Sequence, residues 1–348
     1  MAENIDRRNF LSLAAGTAFG LGLAGAGCAG ASTPRSNDAT PIKPQTAPAG
    51  PELTFDFPGL MVGVAEYAEG PTGCTVLHFP KGVSAAVDIR GGAPGTIWTD
   101  QLHEGDGFLH AICFAGGSLY GLEAATGVSA ELFARNGYST AWDDIALVSG
   151  AVIFDFVARS NAIYPDKALG RAALAAARPG KFPLGPRGAG CSATVGKWLL
   201  KPYELEPAGQ GAAFRTLGQT RIAAFTVVNS VGAIVDRRGQ VVRGHLDPRT
   251  GTRHHITDLP ALDVSPRKGN TCLTAIVTNQ KLAPAALRQF ARQVHGSMSK
   301  AIEPFNTPVD GDVLYAVTTN EVAGAGVNEF VLAAAASELA WDAVLSSF

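Results

Sequence analysis

The chain has 348 residues, 46% apolar and 17% charged, with 28 Lys and Arg against 30 Asp and Glu. That is enough apolar material for a large buried core, in one big domain or two ordinary ones. Near-zero net charge, with no Lys or Arg cluster on any expected helix, argues against nucleic acid as a partner, and no stretch in the body reaches the ~18 apolar residues of a spanning helix.

The first 31 residues, MAENIDRRNFLSLAAGTAFGLGLAGAGCAGA, read as an export signal of the twin-arginine type. Arg7 and Arg8 precede Phe10, Leu11 and an Ala/Gly/Leu run too short and Gly-rich for an anchor helix. Two exits are open. Residues 29–31 fit small-residue cleavage, while Gly25 to Cys28 resembles a lipoprotein box, imperfect at Gly25, that makes Cys28 a candidate for lipidation. The leader or such a lipid is the expected route to a membrane. Export places the protein in the periplasm or on the outer surface of the cytoplasmic membrane. Residues 32–52, rich in Pro, Ser, Thr and Ala, read as a tether, and residues 53–348 as a single folded domain. Five cysteines without a C-x-x-C pair do not make a disulfide scaffold; small buried side chains are the expected role.

In chain order, β-like runs are expected at 61–65, 75–79 and 84–89, followed by a Gly-rich turn, RGGAPGT. Helical patterns cover 118–135 and 167–178, and further strands fit 221–228, 233–235, 273–278 and 313–318. A helix from Pro284 to Ile302 places Leu287, Phe290, Ala291, Val294, Met298, Ala301 and Ile302 on one face, with Pro304 as its stop. A last helix spans 328–345. Strands and helices mix without strict alternation, and several strand runs are apolar on both faces, as in sheets covered by other layers.

Several motifs fail on inspection. GCSATVGK (190–197) has its glycines one residue too far apart for a phosphate loop, and Trp198 replaces the metal-binding hydroxyl. Residues 188–193 match a dinucleotide fingerprint only loosely. Gly116-Gly117-Ser118 lacks the second glycine of a nucleophile elbow. His103-Glu104 has no zinc-spaced histidine after it, and His254-His255 are adjacent. No cofactor or metal is called for.

KGNTCLTAIV (268–277) sets Thr271 between a turn-forming Gly269-Asn270 and an uncharged strand. Such a threonine is either an ordinary strand residue or a nucleophile. As a nucleophile, its hydroxyl attacks the Asn270 carbonyl and cuts the chain before Thr271. The released α-amine, with pKa ~7.7–8.0, then serves as the base beside its own hydroxyl. Spacing alone leaves both readings open. A second Asn-Thr, at 306–307, is followed by Pro308 and falls in a loop.

Six segments in order change that balance: VDIRGGAPGTIWTD, GGSLYGLEAATGV, GAGCSATVGK, FTVVNSVG, GNTCLTAIVTN and TPVDGDVLYAVTT. Together they resemble the L-aminopeptidase/D-esterase family, which includes β-peptidyl aminopeptidases and nylon-oligomer hydrolases, over essentially the whole body from Leu53. The resemblance implies an α/β fold, a four-layered α/β/β/α sandwich of the N-terminal-nucleophile type. It implies cleavage between Asn270 and Thr271 into chains 53–270 and 271–348 that stay interlocked and assemble as a homo-oligomer. Thr271 matches the nucleophile, Asn229 the oxyanion asparagine, Lys197 a lysine near the nucleophile, and Asp310 and Asp312 the Asp-Gly-Asp pair that positions these groups. The RGGAPGT and GGSLYG segments are read as backbone turns shaping the pocket. Val313 stands where a threonine is common, and Ser230 where alanine is frequent, so the pocket walls depart from the pattern.

The function expected is a self-processing amide hydrolase that releases N-terminal residues from small peptides, amides or esters. The close alternative is internal cleavage of ω-amino acid oligomers. Acyl transfer of the ornithine acetyltransferase type, and an exported lipoprotein without turnover, are the remaining alternatives.

Overall fold

The structure is a computed structural model that describes residues 42–199, 202–258, 269–323 and 326–348. The leader with Cys28 and the first ten residues of the tether lie outside the described residues. The main elements are β1 (Met61–Tyr67), β2 (Thr72–Ile89), β3 (Gly107–Ala115), α1 (Leu122–Arg135), β4 (Val148–Val152), α2 (Lys167–Ala175), β5 (Gln210–Leu217), β6 (Thr220–Asn229), β7 (Thr271–Gln280), α3 (Pro284–Ser297), β8 (Val313–Val322) and α4 (Glu329–Leu345).

One sheet runs β5-β6-β7-β8-β2-β3-β4, with β1 beside the first half of β2. β2 belongs to both ends of it. Residues 72–78 pair with β1, residues 84–89 pair with β8, and the ladder to β3 is interrupted between His78 and Val83, where Pro80 and Gly82 fall. Bent there, the sheet faces itself across a core in which Leu77, Phe79, Ile112 and Phe114 meet Phe225, Leu273 and Tyr315. The alternate residues Ala224, Ile276 and Leu314 pack instead on Leu287, Phe290 and Val294 of α3 and Leu332 and Leu339 of α4. On the far side Val76, Ala111 and Cys113 pack on α1 and α2. The result is the four-layered α/β/β/α sandwich expected, and strands buried on both faces explain their unbroken apolar runs.

The expected elements differ in instructive ways. Runs 75–79 and 84–89 are one strand. The helix at 118 starts with a 3₁₀ turn, Ser118–Gly121, because Gly117 and Ser118 both have positive φ. The helix expected over 167–178 ends at Ala175, and Arg178 and Pro179 pair with β1. α3 ends at Ser297, well before Pro304; a 3₁₀ turn follows, and Met298, Ala301 and Ile302 keep the same apolar face by packing into the same core. α4 begins where expected, with the Asn328 side chain accepting the Phe330 N–H at 2.8 Å. Strands β3, β4 and β5 were not anticipated; β4 and β5 carry Gly and Ala, weak strand formers. The body also begins earlier than residue 53. Gln45 pairs with Glu66 on the outer edge of β1, and Ile42 packs against the layer of α1 and α2. That segment covers an otherwise open strand edge.

Candidate active site

Thr271 is the first residue of β7, and the two-residue period of the strand decides where it faces. Leu273, Ala275 and Val277 enter the core between the sheet halves, so Thr271 shares that inner face. Cys272 falls on the opposite face, against the helices, with its thiol pKa pushed up by burial. Asn229, the last residue of β6, is the antiparallel partner of Thr271. Both side chains are buried at the same end of the sheet.

Lys197 reaches this point from a loop fastened to 231–232, its own N–H donating to the Val231 carbonyl at 2.7 Å. The side chain is 1% exposed. A buried ammonium needs acceptors, and Nζ donates to the Asn229 carbonyl at 3.0 Å and to Asn229 Oδ1 at 2.9 Å. Oδ1 also accepts the Thr194 N–H at 3.0 Å, and Nδ2 donates to the Phe154 carbonyl at 3.1 Å. That last contact uses one of the two hydrogens on the amide nitrogen.

Asp310 and Asp312 flank Gly311 just before β8, and each carboxylate gathers backbone. Asp310 Oδ1 accepts from Val231 N at 3.3 Å, and its Oδ2 accepts from Thr307 N at 3.1 Å and the Thr307 hydroxyl at 2.5 Å. Asp312 Oδ1 accepts from Cys272 N at 2.6 Å, and its Oδ2 from Asn306 N at 3.1 Å. The pair therefore ties the strand ends carrying Asn229 and Thr271 to one another. Burial raises the Asp310 pKa, opposed by the Thr307 and Val231 bonds and the Lys197 charge. Burial, then the neighbouring Asp310, pushes Asp312 up to about 8. Burial and the neighbouring carboxylate thus both favour the neutral acid at Asp312.

The peptide bond before Thr271 sits within this frame. The Asn270 carbonyl oxygen accepts the Gly311 N–H at 2.8 Å, and the Thr271 hydroxyl also donates to it. Gly269, at φ 85°, brings the chain in with a Cβ position only 2.5 Å from the Phe154 ring, so both conformation and space favour glycine. Outside lies a cleft of about 340 Å³ whose wall includes Ala93, Pro94, Gly95, Ser118, Leu119, Val152, Phe154, Val309 and Thr271. None of the described residues lining it carries a charge. The RGGAPGT and GGSLYG segments, read as backbone turns, contribute Ala93, Pro94, Gly95, Ser118 and Leu119 to this wall.

All six body residues singled out in the sequence, Lys197, Asn229, Asn270, Thr271, Asp310 and Asp312, meet at one end of the sheet. Sequence reasoning missed the Gly311 N–H, the Phe154 carbonyl and Thr307, which sits in the second Asn-Thr dipeptide set aside as a loop. Of the two departures, Ser230 donates to the Gly232 carbonyl at 2.8 Å and Val313 is buried core. The four described cysteines are free thiols.

The four-layered α/β/β/α sandwich, with a buried threonine at the head of an inner strand, has the fold of the Ntn hydrolases. The chain belongs to peptidase family S58, whose match covers residues 52–347. A 6-aminohexanoate-oligomer endohydrolase of Agromyces sp. (strain KY5R) is 50% identical over 327 residues, 89% of this chain and 90% of that one. An uncharacterized aminopeptidase of Mycobacterium tuberculosis (strain ATCC 25618 / H37Rv) is 35% identical over 265 residues, 72% of this chain and 74% of that one. Among solved structures, the L-aminopeptidase D-Ala-esterase/amidase of Ochrobactrum anthropi, described as a variant of the Ntn hydrolase fold, superposes with a TM-score of 0.59 at 16% identity. The match covers 83% of each chain.

Proposed function

We propose that this hydrolase cuts its own Asn270–Thr271 bond and then uses the released Thr271 as nucleophile and base to release N-terminal residues from small peptides, amides or esters. The observation that carries this reading is the Thr271 hydroxyl resting on the carbonyl of Asn270 at the mouth of the cleft. After the cut, the hydroxyl attacks a substrate carbonyl, the α-amine takes the proton and returns it to the leaving amine, and water resolves the acyl-enzyme. Asn229 holds the oxyanion, Lys197 balances charge beside it, and Asp310 and Asp312 keep the strand ends in place.

A second reading, internal cleavage of ω-amino acid oligomers, is favoured by the uncharged lining that the described residues give the cleft and by the name of the 50% identical relative. A charge-free wall suits a neutral aliphatic acyl chain better than an ammonium beside the scissile bond. Export through the leader, with or without a lipid on Cys28, and assembly of the cleaved units into a homo-oligomer complete the proposal on the strength of the sequence.

The deciding experiment is the intact mass of wild type beside Thr271→Ala, followed by a product assay. Two wild-type fragments, the smaller starting at Thr271, and an uncut variant are expected. An intact wild-type chain after days at neutral pH sinks the mechanism. Monomers released one at a time from an amide oligomer support the first reading, and mid-length products the second.

A further inference from the structure

We propose that the backbone N–H of Gly311 is the oxyanion donor of the self-cleavage step, an inference that rests on Thr271 being the nucleophile. In the uncut chain this N–H already points at the carbonyl oxygen that must take up the negative charge, with the nitrogen 2.8 Å away. Its aim is fixed from both sides. Asn270 and Asp310 form a parallel bridge on one edge. On the other, the Asp310 carbonyl accepts the Ala93 N–H at 2.8 Å and the Asp312 carbonyl accepts the Arg90 N–H at 3.1 Å. The flanking carboxylates hold four further N–H groups. A donor fixed in this way needs no reorganisation as charge develops.

Space requires glycine here. Gly311 is not among the residues with positive φ, so its backbone conformation is open to other residues. A Cβ at this position, however, stands 2.6 Å from the Ala93 carbonyl oxygen and 2.7 Å from Thr271 Oγ1. Real Cβ atoms essentially never come so close, and the hydroxyl is the group that a side chain displaces. The glycine between the two aspartates thus brings the donor, the carbonyl and the nucleophile into one contact.

The step balances without a co-reactant other than water. Thr271 Oγ1 bonds to the carbonyl carbon of Asn270, and the carbonyl π pair moves onto oxygen, where the Gly311 N–H receives it. The hydroxyl proton passes to the amide nitrogen of Thr271. The oxygen pair then re-forms C=O, the C–N bond breaks, and its electrons leave on nitrogen as the new α-amine. The product is an ester between the Asn270 acyl group and Thr271 Oγ1, which water hydrolyses to an Asn270 carboxylate and a free hydroxyl.

The test replaces residue 311 with glycolic acid by nonsense suppression in the full chain, which removes the N–H without adding an atom at Cα. Self-cleavage is followed by intact mass from the moment of synthesis, beside wild type and Thr271→Ala, with circular dichroism reporting the fold. Loss of one oxyanion donor slows such steps about 10²–10³-fold, and that slowing is expected in a folded ester variant. Cleavage within a few-fold of wild type overturns the proposal. Should the ester variant not fold, hydrogen exchange at the Gly311 amide of the uncut Thr271→Ala chain decides: an N–H that exchanges as fast as an exposed amide overturns the proposal, and a protected one supports it. An uncut wild type refutes the Thr271 mechanism itself, which is a different result from a cut wild type with a fast variant.

Discussion

Asn229 and Thr271 end adjacent antiparallel strands as direct partners, and their side chains share the face that opens between the two halves of the sheet. Asn229 faces two ways there. Its Oδ1 holds the Lys197 ammonium and the Thr194 N–H, while its Nδ2 carries the donor hydrogens. Asn229→Asp keeps the acceptor and loses the donors; Asn229→Ala loses both. If the asparagine is an oxyanion donor, kcat falls about 10²–10³-fold in both variants. Both lose the bond to the Phe154 carbonyl, and the alanine, which also deprives a buried ammonium of an acceptor, unfolds the more easily of the two. Steady-state kinetics and urea titrations on the cleaved proteins check this. A kcat within a few-fold of wild type in the aspartate variant removes Asn229 from the oxyanion site.

The carboxyl pair gives the fold a pH dependence whose sign follows from burial. Asp312 is pushed up to about 8, above its ordinary carboxylate value, and Asp310 is raised as well. Over the interval between about 4 and 8 the folded chain holds a proton that the unfolded chain has lost. The stability contributed by the neutral acid is complete below the unfolded pKa and is lost as pH rises toward 8. In the uncut Thr271→Ala background, replacing Asp312 with Asn is expected to flatten that decline. Denaturant midpoints of the two proteins at several pH values read the difference directly. Parallel curves from pH 4 to 8 would mean that Asp312 is ionised throughout.

Much of this arrangement was legible because it depends on side chains with distinctive chemistry in short, ordered motifs. Thr271, Asn229, Lys197 and the two aspartates could be picked out individually, and the apolar face of α3 gave its own position. What stayed hidden was contributed by backbone. The Gly311 N–H and the Phe154 carbonyl leave no trace in residue type, and Thr307 became relevant only when Asp310 folded back onto it. β4 and β5 escaped because Gly and Ala take strand geometry here for tertiary reasons, Gly211 lying where a Cβ would meet the Ala343 carbonyl of α4 at 1.9 Å. Local propensity does not register a neighbour more than a hundred residues away.

A buried ion pair braces the cleft wall. Asp155 and Arg159 bond at 2.7 Å with side chains 1% and 2% exposed, and Asp155 also accepts the Thr72 hydroxyl at 2.6 Å and the Gly117 N–H at 2.9 Å. Removing only the cation leaves an uncompensated buried charge, which costs about 3–5 kcal/mol, whereas removing both charges costs less. Arg159→Met in the uncut background is therefore expected to be less stable than Asp155→Asn with Arg159→Met. Phe154 precedes this pair and contacts both Asn229 and the cleft, so Arg159→Met made with Thr271 in place should also cut itself more slowly than wild type. Chemical denaturation of the single and double variants compares them. A double variant no more stable than the single shows that packing, and not charge, is what Arg159 supplies.

The pH profile of turnover tests the base and its surroundings together. A free α-amine titrates at ~7.7–8.0, and activity requires it neutral, so kcat/KM should rise with pH along a limb near that range. Two opposing charges act near it. Lys197 favours the neutral amine, while the carboxyl pair favours the ammonium. Burial raises both carboxyl pKa values and so limits the negative charge of the pair, which the lysine opposes, and the limb should stay near its unperturbed position. Lys197→Met leaves the carboxylates unopposed and shifts the limb to higher pH, and Asp310→Asn shifts it to lower pH. The two shifts have opposite signs, which a general loss of structure does not produce. Rates of a neutral amide substrate between pH 6 and 10 on the three cleaved proteins supply the comparison. Limbs that coincide in all three mean that the titrating group is not the amine of Thr271.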